Sequence, residues 1–257
     1  MPKARARGRD CQEPSPRRRG SAPAIVAAML TPPPGPGSFA DRLAEAVARA
    51  GSPACVGLDP VLERLPEEVR GAYADPGQAL VAFSRGVIDA VAGIVPAVKF
   101  QSACYERHDL ARELRGLVLE ARAAGLLVVL DAKRGDIGIS AEHYAHAAFS
   151  GPGGADALTV SGYLGPDALA PFLVDGHGLF VLVRTSNPGS DQVQSLRLEG
   201  GRSVAEMMAG HVRRLGAERV GSAGLSDVGA VVGATKAADA AALRELMPEQ
   251  VFLVPGY

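Results

Sequence analysis

From Ser38 onward, the chain alternates between two hydrophobic periods. Segments in which apolar residues recur every three or four positions are followed by short apolar, β-branched runs bounded by Gly, Pro or Asp. The first period is typical of an amphipathic helix and the second of a buried strand. Regular alternation of the two predicts an α/β fold.

The pattern contains seven candidate strands. Apolar runs as continuous as these are typical of parallel strands covered by helices on both faces, and right-handed β-α-β connections of this length close naturally into a barrel. A (β/α)₈ TIM barrel needs one strand more. We therefore predict a TIM barrel that lacks strand eight, either as an open sheet or because the C-terminus is missing. The predicted strands cover 53–59, 96–101, 126–132, 155–161, 178–187, 228–235 and 250–257.

Several helix ends carry recognisable stop and start signals. Ser38 stands at an N-cap position and Gly51 at the stop of the predicted helix 38–51. A later helix is predicted to begin at Ser203, with Glu206 at the capping-box position. Further helices are predicted over 78–93 and 109–125.

The composition excludes some classes of protein. At 257 residues, 47% of them hydrophobic, the chain is long enough for one large domain with a substantial core. A formal net charge of −1 gives no global electrostatic case for binding nucleic acid or an anionic membrane. No apolar run approaches the roughly 20 residues that span a bilayer. The three cysteines, Cys11, Cys55 and Cys104, lack disulfide or zinc spacing, which favours a reducing, cytoplasmic environment.

Residues 1–37 differ from the remainder. They are rich in Arg, Pro and Gly, and this composition predicts a disordered tail ahead of a barrel domain over 38–257. A secretory signal is disfavoured because the apolar patch is short and prolines occupy the place of a cleavage site. Met29 is an alternative start, which would make the upstream residues a mis-assigned extension.

Ionisable residues follow three successive predicted strands. Asp59 ends the first, Lys99 lies near the end of the second, and Asp131 and Lys133 close the third, with Asp136 just beyond. The C-terminal ends of parallel strands are where ligands bind in such folds. Residues two apart on a strand share a face, which places Asp131 and Lys133 about 6.6 Å apart along the backbone. A salt-bridge network is the structural alternative, but three charged strand ends favour a functional site.

Alternating carboxylates and ammonium groups suggest a chemistry. A substrate carboxylate held against Asp131 would be disfavoured by about 4 kcal/mol at 4 Å and an effective dielectric near 20. Release of CO₂ removes that repulsion, and Lys133 is placed to stabilise and protonate the carbanion. The residues thus predict a decarboxylase that needs no cofactor or metal.

One sequence motif resembles a known family. "LDAKRGDIG" closely resembles the signature of orotidine 5′-phosphate decarboxylase, in particular its longer bacterial branch. The resemblance covers residues 39–257. Matching segments occur in the same order in that branch, namely "CVGLDP", "VKFQSACYE", "TVSGYLG", "VLVRTSNPGS", "VVGATK" and "LVPGY".

The resemblance implies a role for individual residues in UMP biosynthesis. Lys133 would donate the proton to C6 of the pyrimidine, and Asp131 would stand against the leaving carboxylate. Lys99 and Asp59 would hold the ribose hydroxyls and order the charges. Ser161 would contact the base.

The same resemblance implies a homodimer with shared active sites. Family members place the second aspartate of the motif in the neighbouring subunit's site, so Asp136, with Ile137 beside it, is expected to act in trans. The family also carries a Gly-rich phosphate-gripping loop with a glutamine after strand seven and an arginine on strand eight. The sequence ends at Tyr257, before both, so we expect a weak or inactive decarboxylase, since remote phosphate binding also lowers the barrier.

Two other functions stay open at this point. Asp131, Lys133 and Asp136 also satisfy the Asp-x-Lys-x-x-Asp motif of Mg²⁺-dependent sugar-phosphate decarboxylases, although the Arg134-Gly135 filling favours the pyrimidine enzyme. The chain is alternatively a non-catalytic barrel relic. Loss of activity with EDTA would favour the first alternative, and failure to bind a UMP analogue would favour the second.

Overall fold

A computed structural model describes residues 37–256 of the protein. The tail predicted over 1–37 lies outside this range except for Gly37, as do the alternative start at Met29 and the final residue, Tyr257. Seven strands form one sheet in sequence order, with every neighbouring pair parallel, which confirms the predicted α/β class. The strands are β1 (Cys55–Leu58), β2 (Ala97–Gln101), β3 (Leu127–Arg134), β4 (Ala157–Val160), β5 (Gly178–Arg184), β6 (Ser226–Val232) and β7 (Gln250–Leu253).

Helices precede and connect the strands. The longer ones are α1 (Phe39–Ala50), α3 (Pro76–Val91), α5 (Ala111–Ala123), α6 (Gly138–Phe149), α9 (Val204–Gly216) and α10 (Ala237–Leu246). Shorter helical segments lie between them at α2 (Glu67–Gly71), α4 (Ser102–Glu106), α7 (Pro166–Leu169) and α8 (Asp191–Gln194), together with 3₁₀ turns at Leu62–Arg64, Ala170–Phe172, Pro188–Ser190 and Ala234–Lys236.

The predicted helix caps are confirmed. The side chain of Ser38 accepts a hydrogen bond from the backbone N–H of Asp41, and Gly51 ends α1 in a left-handed conformation. At the start of α9, Ser203 and Glu206 form the complete reciprocal capping box. These contacts satisfy backbone N–H groups that a helix start leaves without intrahelical partners.

The sheet curls around an inner apolar cluster. Phe39 from α1 packs edge-to-face on Phe180 of β5, with ring centroids 6.0 Å apart, beside Val129, Ala157 and Val231 from neighbouring strands. Gly178 at the start of β5 makes room for this ring, because a Cβ there would lie 2.3 Å from a Phe39 ring carbon. Helix α1 therefore covers the N-terminal edge of the strands and leaves the C-terminal edge for chemistry.

Two larger apolar clusters cover the outer face of the sheet. One joins β1, β2 and β3 to helices α3 and α5, and its largest buried side chains include Phe100, Tyr105 and Leu117. The other joins β4, β5 and β6 to helices α6 and α9, around Leu158, Phe172 and Leu179. Burial on both faces explains why the strands read as continuous apolar runs.

All seven strands differ from their predicted ranges at one or both ends. Strand β3 continues to Arg134, two residues past its predicted end, while β5 ends at Arg184 and β6 at Val232, before theirs. Helix α10 has no counterpart in the predicted elements, because its many alanines give a weak apolar stripe. Residues 37–256 contain no eighth strand, so β1 and β7 form the two edges of the sheet. No helix in this part of the chain is long and apolar enough to cross a membrane.

Candidate active site

The charged strand ends meet in one network at the C-terminal edge. Lys99 Nζ lies 2.9 Å from Asp131 Oδ2 and 3.2 Å from Asp59 Oδ1. Lys133 Nζ lies 2.7 Å from Asp131 Oδ1. The structure thus brings together four of the predicted residues, in the order carboxylate, ammonium, carboxylate, ammonium. Asp131 is central, because it is the one that contacts both lysines.

Burial divides the network into an inner and an outer part. The side chains of Asp131 and Lys99 are only 10% and 13% exposed, whereas that of Lys133 is 46% exposed and that of Asp59 is similarly open. A buried charge is costly without a partner. Asp131 and Lys99 are therefore held together because each would be a costly unpaired buried charge without the other. The Lys133 ammonium is the cation that an incoming molecule can reach.

The electrostatics keep the inner pair ionised. Burial opposes ionisation of Asp131, but the hydrogen bond from Lys133, the charge of Lys99 and further hydrogen bonds outweigh it, so the pKa of Asp131 lies below its ordinary value. Burial likewise opposes the charge on Lys99, and the two carboxylates outweigh it and raise the lysine pKa. Asp131 therefore carries its negative charge at neutral pH, before any substrate arrives.

A β-bulge gives the third strand its active-site geometry. Leu130 pairs with Leu158 and Arg134 pairs with Val160, so residues 131–133 of β3 stand opposite Thr159 alone. Lys133 adopts a left-handed backbone conformation, with φ of 46°. That backbone conformation is unfavourable for residues other than Gly, Asn or Asp, and such strain is frequent at functional sites. Lys133 therefore reaches Asp131 from within a bulge, and not along a regular strand in which the two residues would share a face.

Thr159 of β4 joins the network, and sequence reasoning missed it. Its hydroxyl lies 2.8 Å from Asp131 Oδ1 and 3.0 Å from the backbone nitrogen of Lys133, and the residue is 1% exposed. The signal was available as a single hydroxyl within the otherwise apolar run "ALTV". A buried polar residue in such a strand needs a hydrogen-bond partner, and here the partners are the catalytic candidates.

The remaining predicted residues lie outside this network. Asp136 Oδ1 accepts a hydrogen bond from the backbone N–H of Ile137, and the side chain of Ile137 is exposed. Ser161 is held at its backbone, where its N–H donates to the carbonyl of Arg134. A Cβ on Gly135 would lie 3.3 Å from the Ser161 Cβ, so the loops after β3 and β4 touch here. Within residues 37–256, neither Asp136 nor Ser161 is hydrogen-bonded to Asp131.

A second charged cluster holds the loop after β5, and it too was missed. Arg184 ends β5 and is almost completely buried. Its guanidinium contacts the carboxylates of Asp191 and Asp239 and the side chains of Ser190 and Gln194. Hydrogen bonding by Arg184, and then by Lys236, lowers the pKa of Asp191 to about 2. The strand-end rule that identified Lys99 applies equally to Arg184, which could have been found in "VLVRTS".

This cluster fixes the other side of the same edge. The Gln194 side chain accepts a hydrogen bond from the Thr185 N–H and donates one to its hydroxyl, which folds the loop back on Arg184. Ser186 packs so closely against Gly233 that a Cβ on the glycine would lie 2.9 Å from the Ser186 Cβ. The loops that follow β5 and β6 are thereby held in contact beside the site.

The site resembles no three-ligand metal centre. In the part of the chain that the structure describes, no group of three or more His, Cys, Asp or Glu side chains is placed to hold a metal ion. Both oxygens of Asp131 instead contact an ammonium group, and Oδ1 also accepts the Thr159 hydrogen bond.

A parallel β/α sheet of this curvature, with a balanced charge network at the C-terminal edge, defines an enzyme of the TIM-barrel class. Residues 53–257 match the family model described as "Orotidine 5'-phosphate decarboxylase / HUMPS family". The chain belongs to this family.

Individual relatives agree with the family match. The orotidine 5′-phosphate decarboxylase of Rhodopirellula baltica is 42% identical over 237 residues, which cover 86% of this chain and 78% of that protein. The Halobacterium salinarum protein of the same name is 43% identical over 220 residues, which cover 85% and 78% respectively.

Solved structures share the fold. A putative orotidine 5′-phosphate decarboxylase from Streptomyces avermitilis has a TM-score of 0.75 and 39% identity, with coverage of 87% of this chain and 78% of that one. The Leishmania donovani OMP decarboxylase has a TM-score of 0.71 and 36% identity, with coverage of 86% and 80%. These likenesses confirm the resemblance of the sequence motifs and the barrel fold.

Proposed function

We propose that this protein is a carboxy-lyase that converts orotidine 5′-phosphate to UMP in de novo pyrimidine biosynthesis. Family membership and the names of its relatives give the reaction. The observation that carries the assignment in this chain is the ionised Asp131, clamped between Lys99 and Lys133 at the C-terminal edge.

The mechanism follows from charge placement. A substrate carboxylate beside the ionised Asp131 is repelled by about 4 kcal/mol at 4 Å and an effective dielectric near 20. Breaking the bond between C6 and that carboxylate releases CO₂ and leaves the electron pair on C6. Lys133 offers the nearest exposed ammonium to stabilise that pair and then transfers a proton to C6. The repulsion ends when CO₂ leaves, so the interaction favours the transition state over the bound substrate.

The other site residues have supporting roles in this proposal. Lys99 keeps Asp131 ionised and, with Asp59, is available to the ribose hydroxyls. Ser161 borders the site after β4. Within residues 37–256 its hydroxyl makes no hydrogen bond, so it is available to contact the base.

A direct assay tests the reaction. We expect the purified protein to release CO₂ from orotidine 5′-phosphate and form UMP, with the same rate after treatment with EDTA. Loss of the rate with EDTA would instead support the Mg²⁺-dependent sugar-phosphate alternative. Absence of both turnover and calorimetric binding of a UMP analogue would contradict the proposal and support the non-catalytic alternative.

We further propose a homodimer in which Asp136 serves the neighbouring site. The Asp136 carboxylate accepts a hydrogen bond from the Ile137 N–H and sits beside exposed apolar side chains. Ile137 is 62% exposed and Tyr163, on the touching loop after β4, is 82% exposed. Exposed apolar side chains next to a site are typical of a contact surface. A cytoplasmic location is proposed as well, because Cys55 and Cys104 are free thiols.

Subunit mixing tests the shared site. Lys133→Met and Asp136→Ala should each be nearly inactive as homodimers. After co-refolding in equal amounts, we expect about a quarter of the wild-type rate, because half of the dimers are mixed and each holds one complete site.

A matched mixture distinguishes the arrangement. Lys133→Met combined with Asp131→Asn should recover no activity, since both residues serve the site of their own subunit. Recovery in neither mixture would mean that Asp136 does not act in trans.

A further inference from the structure

The β3 bulge leaves a backbone group that the sheet cannot satisfy. In a regular parallel ladder, each N–H of β3 on this side would find a carbonyl of β4. Between the pairs Leu130–Leu158 and Arg134–Val160, however, three residues face one. The N–H of Lys133 falls in this gap, and its left-handed conformation turns it off the regular ladder direction. Something other than the β4 backbone has to accept it.

Thr159 fills that gap with its side chain. Its Oγ1 lies 3.0 Å from the backbone nitrogen of Lys133, and a backbone N–H can only donate. The hydroxyl proton is therefore free for the second partner, Asp131 Oδ1, 2.8 Å away. An ionised carboxylate can only accept, so the direction of both hydrogen bonds is fixed. One buried hydroxyl thus joins the backbone of the lysine to the side chain of the aspartate.

We propose that Thr159 is a positioning residue for the decarboxylation, because it holds the β3 bulge in the conformation that sets Lys133 Nζ 2.7 Å from Asp131 Oδ1. This inference rests on the proposed function and deepens it. The hydroxyl acts through Asp131 and Lys133. Its β-branched side chain, restricted to few rotamers, keeps Oγ1 between the two partners.

Two consequences follow for a chain without this hydroxyl. The Lys133 N–H loses its acceptor, so the strained left-handed conformation loses one of the contacts that hold it. Asp131 loses a hydrogen bond that favours its charged form, and the same bond is among the causes that lower the pKa of this carboxyl. The Lys133 ammonium should therefore contact Asp131 less often, and the Asp131 carboxylate should take up a proton at higher pH.

Substitution of Thr159 separates the hydroxyl from the side-chain volume. Thr159→Val keeps the shape and removes the hydroxyl, and we expect kcat to fall about 10- to 100-fold with little change in KM. Thr159→Ser restores the hydroxyl without the methyl group and should retain kcat within about threefold of wild type. If Thr159→Val fails to fold, the pair Thr159→Ala and Thr159→Ser gives the same comparison.

A bridging hydroxyl at the opposite edge of the sheet provides a matched control. Ser226 Oγ donates to the Gly216 carbonyl and accepts from the Val228 N–H, at the N-terminal end of β6. Ser226→Ala removes an equivalent buried bridge far from Asp131. It should lower the free energy of unfolding and leave kcat unchanged.

A second readout does not depend on turnover. In substrate-free protein with ¹³C-labelled aspartate, the Asp131 carboxyl should titrate at higher pH in Thr159→Val than in wild type, Thr159→Ser or Ser226→Ala. This titration still decides the role of Thr159 if the wild-type chain fails to decarboxylate and the proposed function falls. The inference is overturned if Thr159→Val keeps kcat within about twofold of wild type and the Asp131 titration is unchanged. It is also overturned if Thr159→Val and Thr159→Ser lose activity equally, because the methyl group and not the hydroxyl would then be responsible.

Discussion

Lys133→Met should reduce kcat for orotidine 5′-phosphate by about 10³- to 10⁴-fold while the protein stays folded. Methionine has nearly the length of lysine but neither charge nor proton. The variant therefore loses both the cation that stabilises the electron pair left on C6 and the acid that neutralises it. Lys133 is partly exposed, so its removal opens no cavity in the core and should hardly change the thermal midpoint.

Single-turnover rates and circular dichroism measure the two expectations for Lys133→Met. Lys236→Met is the matched control, because Lys236 is also at the C-terminal edge but pairs with Asp191, in the cluster that surrounds Arg184. We expect that control to keep kcat within about threefold. A Lys133→Met enzyme with more than a tenth of the wild-type kcat would refute the assignment of Lys133 as proton donor.

The pattern of the sequence predicted the frame of the site because the frame depends on local signals. Strand-end charges can be read directly from the chain, and parallel strands carry them to one edge. Asp59, Lys99, Asp131 and Lys133 therefore meet as expected. Helix caps such as Ser38 and Ser203 depend on neighbours within three residues and were equally predictable.

Features that depend on pairing between strands could not be predicted in this way. The alternation rule assumes a regular pleat, under which Asp131 and Lys133 share a face. They do meet, but through a bulge and a left-handed lysine. Thr159 becomes important only because β4 offers one residue opposite three. Arg184 pairs with Asp191, 7 positions away, and with Asp239, 55 positions away. Both separations exceed the three or four positions over which a local pattern acts.

Asp131→Asn should have the opposite effects on the rate and on the binding of substrate. The amide keeps the shape of the side chain but removes the charge that repels the leaving carboxylate. We expect kcat to fall at least about 100-fold, while the Kd for orotidine 5′-phosphate decreases, by up to about tenfold. If Asp131 had only a structural role, the substitution would lower both kcat and the affinity for substrate.

Binding of the product isolates the repulsive contribution of Asp131. UMP has no carboxylate at C6, so the Asn substitution should leave its Kd nearly unchanged, and any general disturbance of the site would appear there. Calorimetric titration with UMP and rapid-mixing measurement of substrate binding provide the two constants on one protein preparation. If the variant binds substrate and product equally more weakly, the repulsion between Asp131 and the carboxylate does not drive the reaction. Suppose that the variant binds the substrate more tightly while its Kd for UMP stays unchanged. Asp131 then weakens substrate binding in the wild-type enzyme, and the release of CO₂ removes this unfavourable interaction.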